Sequence, residues 1–264
     1  MLRRVRYGWV YLTTWGPFAV ITICCGSLGV IAAVLRVKSI AKRCLYWWAK
    51  ASCWSLGLKP DMMIAEGATW PSSLNELGQG VMIANHMSHL DILMIASLAP
   101  FDMRILAKSS LFKVPFLGWY IRACGHIPVF RGERRHLNKT IGRTAIQSAI
   151  DAGATLFIFP EGTRSKDGQL KPFRSGAFVI AAQHDLTLYP ILVRGTSQLL
   201  RAGGRVIHKD PNVPCTLTFL PEFSSSSLCE GQARVGDEEL SEEEKVKRIK
   251  AHAEGLYQEA FTQS

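Results

Sequence analysis

The chain has 264 residues, 48% of them hydrophobic, and a formal net charge of +10, so a sizeable core is within reach. The charge is lopsided: residues 1–60 hold nine Lys or Arg and no Asp or Glu, while residues 61–264 hold 22 basic and 21 acidic side chains. Nucleic-acid binding wants a basic patch across the folded domain and is disfavoured, whereas an anionic membrane surface is an expected partner of the N-terminal part.

Residues 7–35 carry no charge at all, and these 29 residues exceed the roughly 20 that cross a bilayer. Arg3, Arg4 and Arg6 resemble the n-region of a signal peptide, but the run is too long for its apolar core and no A-x-A site closes it. A retained membrane-embedded helical segment is expected. Gly16-Pro17 inside the run predicts a kink or break. Basic residues flank both ends, with Arg36, Lys38, Lys42 and Arg43 on the far side, so the positive-inside rule selects no orientation. A hairpin dipping into one leaflet keeps both flanks in the cytosol. Residues 40–59 place Tyr46, Trp47, Trp48 and Trp54 among Lys42, Arg43, Lys50 and Lys59. This pattern fits an interfacial helix, or an amphipathic helix packed on the domain. The expected division is a membrane anchor and interfacial helix over residues 1–60, then an α/β domain over residues 61–264.

Beyond residue 60, apolar β-rich runs at 81–84, 103–107, 126–130, 154–159, 186–194 and 213–220 alternate with helical patterns near 90–98, 109–122, 137–151 and 174–184. Alternation of this kind predicts an α/β fold, a mostly parallel or mixed central sheet flanked by helices. Ser241 with Glu244 forms a capping box for a last helix, whose Val246, Ile249, Ala253, Leu256 and Tyr257 share one face and read as structural cover. Seven cysteines, at 24, 25, 44, 53, 124, 215 and 229, fit neither a disulfide framework nor a zinc site, and point to a reducing, cytosol-facing compartment.

Between two apolar runs stands Asn85-His86-Met87-Ser88-His89-Leu90-Asp91. In an open α/β sheet, sites lie beyond the carboxyl ends of strands, and His86 follows the strand at 81–84. Asp91 falls in the first turn of the next helix. A carboxylate holding one imidazole nitrogen leaves the other free as a base, the base–orienter half of a triad. Ser88 has no nucleophile elbow, so the nucleophile is expected to be a substrate hydroxyl. A His-Asp pair at this spacing also occurs as a purely structural pair, and His86, His89 and Asp91 are also conceivable metal ligands, although no second ligand cluster accompanies them.

The run at 154–159 ends in Pro160-Glu161-Gly162-Thr163-Arg164-Ser165. Gly162 permits close backbone approach, Arg164 offers a fork for phosphate, and Thr163 and Ser165 add hydroxyl donors. Glu161 is placed to orient Arg164 or to accept from a substrate hydroxyl. The run at 126–130 delivers Arg131 to a loop. Together these loops suggest one anionic site.

With these blocks in view the chain resembles the glycerolipid acyltransferases. The blocks are Asn85–Asp91, Gly125–Arg131, Phe159–Ser165 and the apolar Tyr189–Val193 with Pro190, in the family's order and spacing; His89 stands where relatives often carry tryptophan. The resemblance implies that His86 is the general base and Asp91 its orienting partner. It implies acyl transfer from acyl-CoA or acyl carrier protein to the hydroxyl of lysophosphatidic acid, at a bilayer surface, with no metal or cofactor. It also implies that Arg131, Glu161, Gly162, Thr163 and Arg164, with Lys108, hold the acceptor phosphate. Leu111, Phe112, Val114, Phe116, Leu117 and Trp119 are expected either to wall an acyl-chain tunnel or to pack as core. Rival readings are a different lysolipid acceptor and a non-catalytic membrane-tethered lipid-binding protein.

Overall fold

The computed structural model describes residues 2–69, 77, 79–98, 102–136, 138–204, 206–208, 210, 212–230 and 240–263. The chain opens with helices α1 (Leu2–Val34) and α2 (Lys38–Leu56), then strand β1 (Pro60–Ile64) and strand β2 (Gly80–Ala84). Helix α3 (Asp91–Ala96), β3 (Met103–Lys108), a 3₁₀ turn (Ser109–Lys113), α4 (Leu117–Ala123) and β4 (Ile127–Val129) follow. Next come α5 (Arg143–Asp151), β5 (Thr155–Ile158), α6 (Gly176–Gln183), β6 (Thr187–Arg194), α7 (Thr196–Leu199), β7 (Cys215–Phe219), α8 (Ser225–Glu230) and α9 (Glu242–Thr262).

The strands form one seven-stranded sheet in the order β1-β7-β6-β2-β5-β3-β4. Every neighbouring pair is parallel except β6–β7. The sheet is therefore mixed and α/β, with helices on both faces. Strand β2 is buried along its whole length, and its alternation divides the interior in two. Met82 and Ala84 face a core built with α2, α3 and α4, while Val81 and Ile83 face one built with α5, α6 and α9. The cover helix α9 is seated as expected: Ser241 Oγ accepts from Glu244 N at 3.3 Å, and Ile249, Ala253 and Tyr257 are fully buried. Tyr257 does more than cover, because its hydroxyl lies 2.8 Å from Ile83 O and accepts from Ile191 N at 3.1 Å, joining β2 to β6.

Three expectations need correction. Gly16-Pro17 does not break the first helix. Helix α1 runs through Pro17, and the reversal falls at residues 35–37, where Val37 N bonds Ala32 O at 2.8 Å and Arg36 N bonds Ala33 O at 3.1 Å around a left-handed Arg36. One helical hydrogen bond lost to proline is outweighed by packing on α2, where Phe18 meets the Trp48 ring at 5.9 Å and Trp48 Nε1 donates to Thr22 Oγ1 at 3.0 Å. The side chains of Arg3, Arg4, Arg6, Lys38, Lys42 and Cys229 lie outside the described residues. Second, the sheet has a strand, β1, that the sequence pattern does not mark. It is an edge strand of five residues, beside β7 alone, and shows no alternation. Third, the helical pattern at 109–122 is divided at Val114-Pro115-Phe116, because proline has no N–H to continue a helix.

Helix α2 packs one face on the domain. Cys44, Leu45, Ala49, Cys53 and Leu56 join the same core as the sheet, while Arg43, Trp47, Lys50 and Trp54 are exposed. Gly29 makes the α1 seam close, since a Cβ there would lie 2.3 Å from the Tyr120 ring and 3.3 Å from Cys44 Cβ. Residues 13–34 of α1 form one helix long and apolar enough to cross a membrane.

Candidate active site

The order β6-β2-β5-β3-β4 places five parallel strands side by side, so their carboxyl ends share one edge of the sheet. His86 follows β2, Glu161 to Arg164 follow β5, Lys108 ends β3, and Arg131 follows β4. Residues scattered over eighty positions thereby reach one rim.

Asn85 continues the ladder with its side chain. Its Nδ2 donates to Val193 O at 2.9 Å, and its Oδ1 accepts from Val193 N at 2.7 Å, as a strand residue would do through its backbone. The chain can then leave the sheet at His86 without orphaning β6. Both backbone groups of His86 are held by the facing loop: its N–H donates to Glu161 Oε1 at 3.0 Å, and its carbonyl accepts from Ser165 N at 2.7 Å. The imidazole stacks on Phe159 with centroids 3.9 Å apart.

His86 Nδ1 lies 2.9 Å from Asp91 Oδ2. The same oxygen accepts from Met87 N at 2.7 Å and Ser88 N at 2.8 Å, while Oδ1 accepts from Thr196 Oγ1 at 2.6 Å. A carboxylate that only accepts sets the tautomer: Nδ1 carries the proton, and Nε2 is the lone-pair nitrogen. Nε2 has no protein partner among the described residues, and the side chain is 18% exposed. Ser88 is committed elsewhere, fully buried with its hydroxyl donating to Leu200 O at 2.7 Å. His89 stands at the rim, where partial burial and then the Arg164 guanidinium and His86 push its pKa down.

The loop after β5 has an inner and an outer side. Gly162 sits at φ +68°, and a Cβ there would lie 2.8 Å from Arg174 Nε, so this turn requires glycine. Its carbonyl accepts from the Arg131 guanidinium, which ties the β4 loop to the β5 loop. Thr163 is exposed and Arg164 half-buried at the rim, and Lys171 Nζ braces the Arg164 carbonyl at 3.1 Å. Glu161 points the other way. It is 2% exposed, and its Oε2 is buried without a partner. Burial raises its pKa from the ordinary 4.5 to about 7, against the lowering effect of the His86 N–H. Among the described residues, no three His, Cys, Asp or Glu side chains gather as a metal site.

A raised carboxyl pKa favours the native state while the group is protonated. Glu161 therefore destabilises the fold progressively as pH climbs from 4.5 to about 7, by an amount on the order of 3 kcal/mol. Glu161→Gln keeps an acceptor for His86 N–H and removes this loss. Urea titrations at pH 4.5 and 7.5 are expected to show the wild type losing more stability than the variant between the two. Parallel curves would mean that the carboxyl titrates normally.

The sequence alone gives no role to Thr196, Phe159 or Asn85. Thr196 lies 105 residues from Asp91, and no local signal marks it. Phe159 and Asn85 sat inside recognised blocks, where Asn85 was the one polar residue ending a buried strand.

Residues 69–194 match the family described as Acyltransferase. The chain is 34% identical over 178 residues to the 1-acyl-sn-glycerol-3-phosphate acyltransferase of Saccharomyces cerevisiae, covering 67% of this chain and 58% of that enzyme. It is 37% identical over 135 residues to a chloroplastic 1-acyl-sn-glycerol-3-phosphate acyltransferase of Brassica napus, covering 50% of this chain and 38% of that one. The chain thus spans between about a third and three-fifths of the length of the curated relatives it matches first. Its fold is that of the crystal structure of the 1-acyl-sn-glycerophosphate acyltransferase from Thermotoga maritima, with a TM-score of 0.70 at 20% identity, covering 99% of this chain and 97% of that one.

Proposed function

We propose that this chain, whose residues 69–194 match the family described as Acyltransferase, moves a fatty acyl chain from an acyl thioester to the free sn-2 hydroxyl of 1-acyl-sn-glycerol-3-phosphate, making phosphatidic acid. The observation that carries this reading is the His86–Asp91 pair, at 2.9 Å, with the carboxylate locked by three further donors and Nε2 left open at a basic rim. The names of the yeast and plant relatives supply the substrate class.

His86 Nε2 takes the proton of the acceptor hydroxyl as its oxygen attacks the thioester carbonyl. The tetrahedral intermediate collapses, the C–S bond breaks, and the imidazolium returns its proton to the departing thiolate. Products are the new ester and a free thiol, so the proton and the acyl group balance without metal or cofactor. Asp91 holds the tautomer and offsets the imidazolium charge. Arg131, Arg164 and Lys108, with Thr163 and the Gly162 turn, receive the acceptor phosphate. Glu161 serves from beneath, by seating the His86 backbone. The thiol carrier is coenzyme A or acyl carrier protein.

Residues 1–60 form the membrane-facing unit and residues 61–264 the catalytic unit, joined by the shared core of α2. The catalytic rim faces the cytoplasm, at the surface from which an amphiphilic substrate is drawn.

The test is transfer of labelled acyl chain from each donor to lysophosphatidate and, in parallel, to monoacylglycerol. Transfer to lysophosphatidate is expected, and its absence with both donors overturns the reading. Arg164→Ala is expected to raise KM for lysophosphatidate and to leave monoacylglycerol turnover nearly unchanged, because a charge-assisted bond to phosphate is lost. Arg164→Lys recovers only part, since a point charge does not replace a planar fork. Equal losses on both acceptors would make Arg164 structural or a donor contact.

A further inference from the structure

Leu111, Phe112, Val114, Phe116, Leu117 and Trp119 are expected to wall an acyl-chain tunnel or to pack as core, and of these Phe112 and Leu117 pack in the core. Phe112, Tyr120 and Ile121 are buried in the core shared with α2 and α3. Leu111, Val114 and Trp119 instead stand outward, 40%, 41% and 55% exposed, beside the exposed Lys113 and Arg122. An outward face of a water-soluble domain is normally polar, and three large apolar side chains rimmed by two cations are the pattern of an interfacial contact.

Their surroundings name the partner. Phe116 packs against α1, where a Cβ on Gly26 would lie 3.1 Å from Phe116 O and 3.3 Å from Phe116 Cβ. Phe116 adopts φ +60°, an unfavourable conformation for a bulky residue, which its seat on α1 holds in place. The Trp119 ring lies 5.0 Å from that of Phe116. Phe116 therefore links α1, which itself exposes Ile23 and Leu28, to the outward Trp119. At its other end Ser109 directly follows Lys108, the last residue of β3 and part of the catalytic rim.

We propose that Leu111, Val114 and Trp119 form a second membrane contact, inserted into an anionic bilayer beside α1, with Lys113 and Arg122 at the phosphate level. The contact turns the catalytic rim toward the bilayer, so that a lysolipid slides in from the side and its acyl tail stays in the hydrocarbon. This rests on the reading of α1 and α2 as the membrane-facing unit, and two membrane contacts fix an orientation that one helix leaves free to swing.

The test uses the full chain in vesicles of phosphatidylcholine and phosphatidylglycerol, with and without dibrominated acyl chains. The emission of Trp119 is read as wild type minus Trp119→Phe. It is expected to lose most of its intensity in brominated vesicles and to resist aqueous iodide. Leu111→Trp, placed in the Trp119→Phe protein, is expected to restore a bromine-quenched signal. Quenching of Trp119 by iodide and not by bromine overturns the second contact while α1 still carries the protein to the vesicle band in flotation. Failure to float at all overturns the anchor, and this contact with it.

Discussion

His86→Ala is expected to lose about 10²- to 10⁴-fold in acyl-transfer rate while the protein stays folded and membrane-bound. The rate falls because the nitrogen that accepts the substrate proton is gone. The fold survives because the surroundings of residue 86 are held by its backbone, which bonds Glu161 Oε1 and the Ser165 N–H whatever the side chain. Asp91 also keeps three of its four donors, the Met87 and Ser88 amides and the Thr196 hydroxyl. The imidazole itself contributes its stacking on Phe159, so the loss of stability stays modest. His89→Ala, at an exposed position with no carboxylate partner, is expected to retain most activity. Near wild-type turnover by His86→Ala would sink the mechanism, and equal losses at both histidines would call for metal analysis of the purified protein.

Asp91→Ala is expected to fail in folding as well as catalysis. It strips the acceptor from two backbone amides, a hydroxyl and an imidazole N–H in a pocket with no solvent exposure. Each buried donor left unmade costs about 1–3 kcal/mol, and partial relaxation leaves a total on the order of 3–5 kcal/mol. Asp91→Asn separates the two effects. It preserves shape, but its NH2 confronts donors on one side or the other, and it no longer imposes the Nδ1-protonated tautomer. This variant is expected to fold with a smaller loss and to remain nearly inactive. Thermal melting and acyl transfer measured on both variants decide it: a stable Asp91→Ala or an active Asp91→Asn refutes the role given to this carboxylate.

The contrast between these two residues marks how far the sequence could be read. His86 and Asp91 are five positions apart, so one strand end and one helix turn suffice to bring them together, and the local pattern announced the pair. The β5 loop was legible for the same reason, because an apolar strand ending in Pro160-Glu161-Gly162 delivers its polar residues to the sheet edge. The direction of Glu161 was not legible. Whether a carboxylate faces the rim or lies beneath it depends on which neighbouring loop presents a free N–H, and that donor is His86, 75 residues away.

The sequence by itself determined the alternation of strands and helices, the blocks that meet at the rim, the cover helix behind Ser241 and the uncharged N-terminal run. All of these are written in local periodicity, charge and spacing. Only the tertiary structure decided that α1 passes through Pro17 and reverses at Arg36, because the packing of Phe18 and Trp48 across two helices outweighs one missing hydrogen bond. It alone decided that Thr196 completes the cradle of Asp91, and that Asn85 stitches β2 to β6. It also decided that one short apolar segment sends Phe112 into the core and Trp119 outward. Those outcomes depend on contacts between residues remote in sequence, and the free energy of such a contact does not exist until the sheet order has brought its partners within reach.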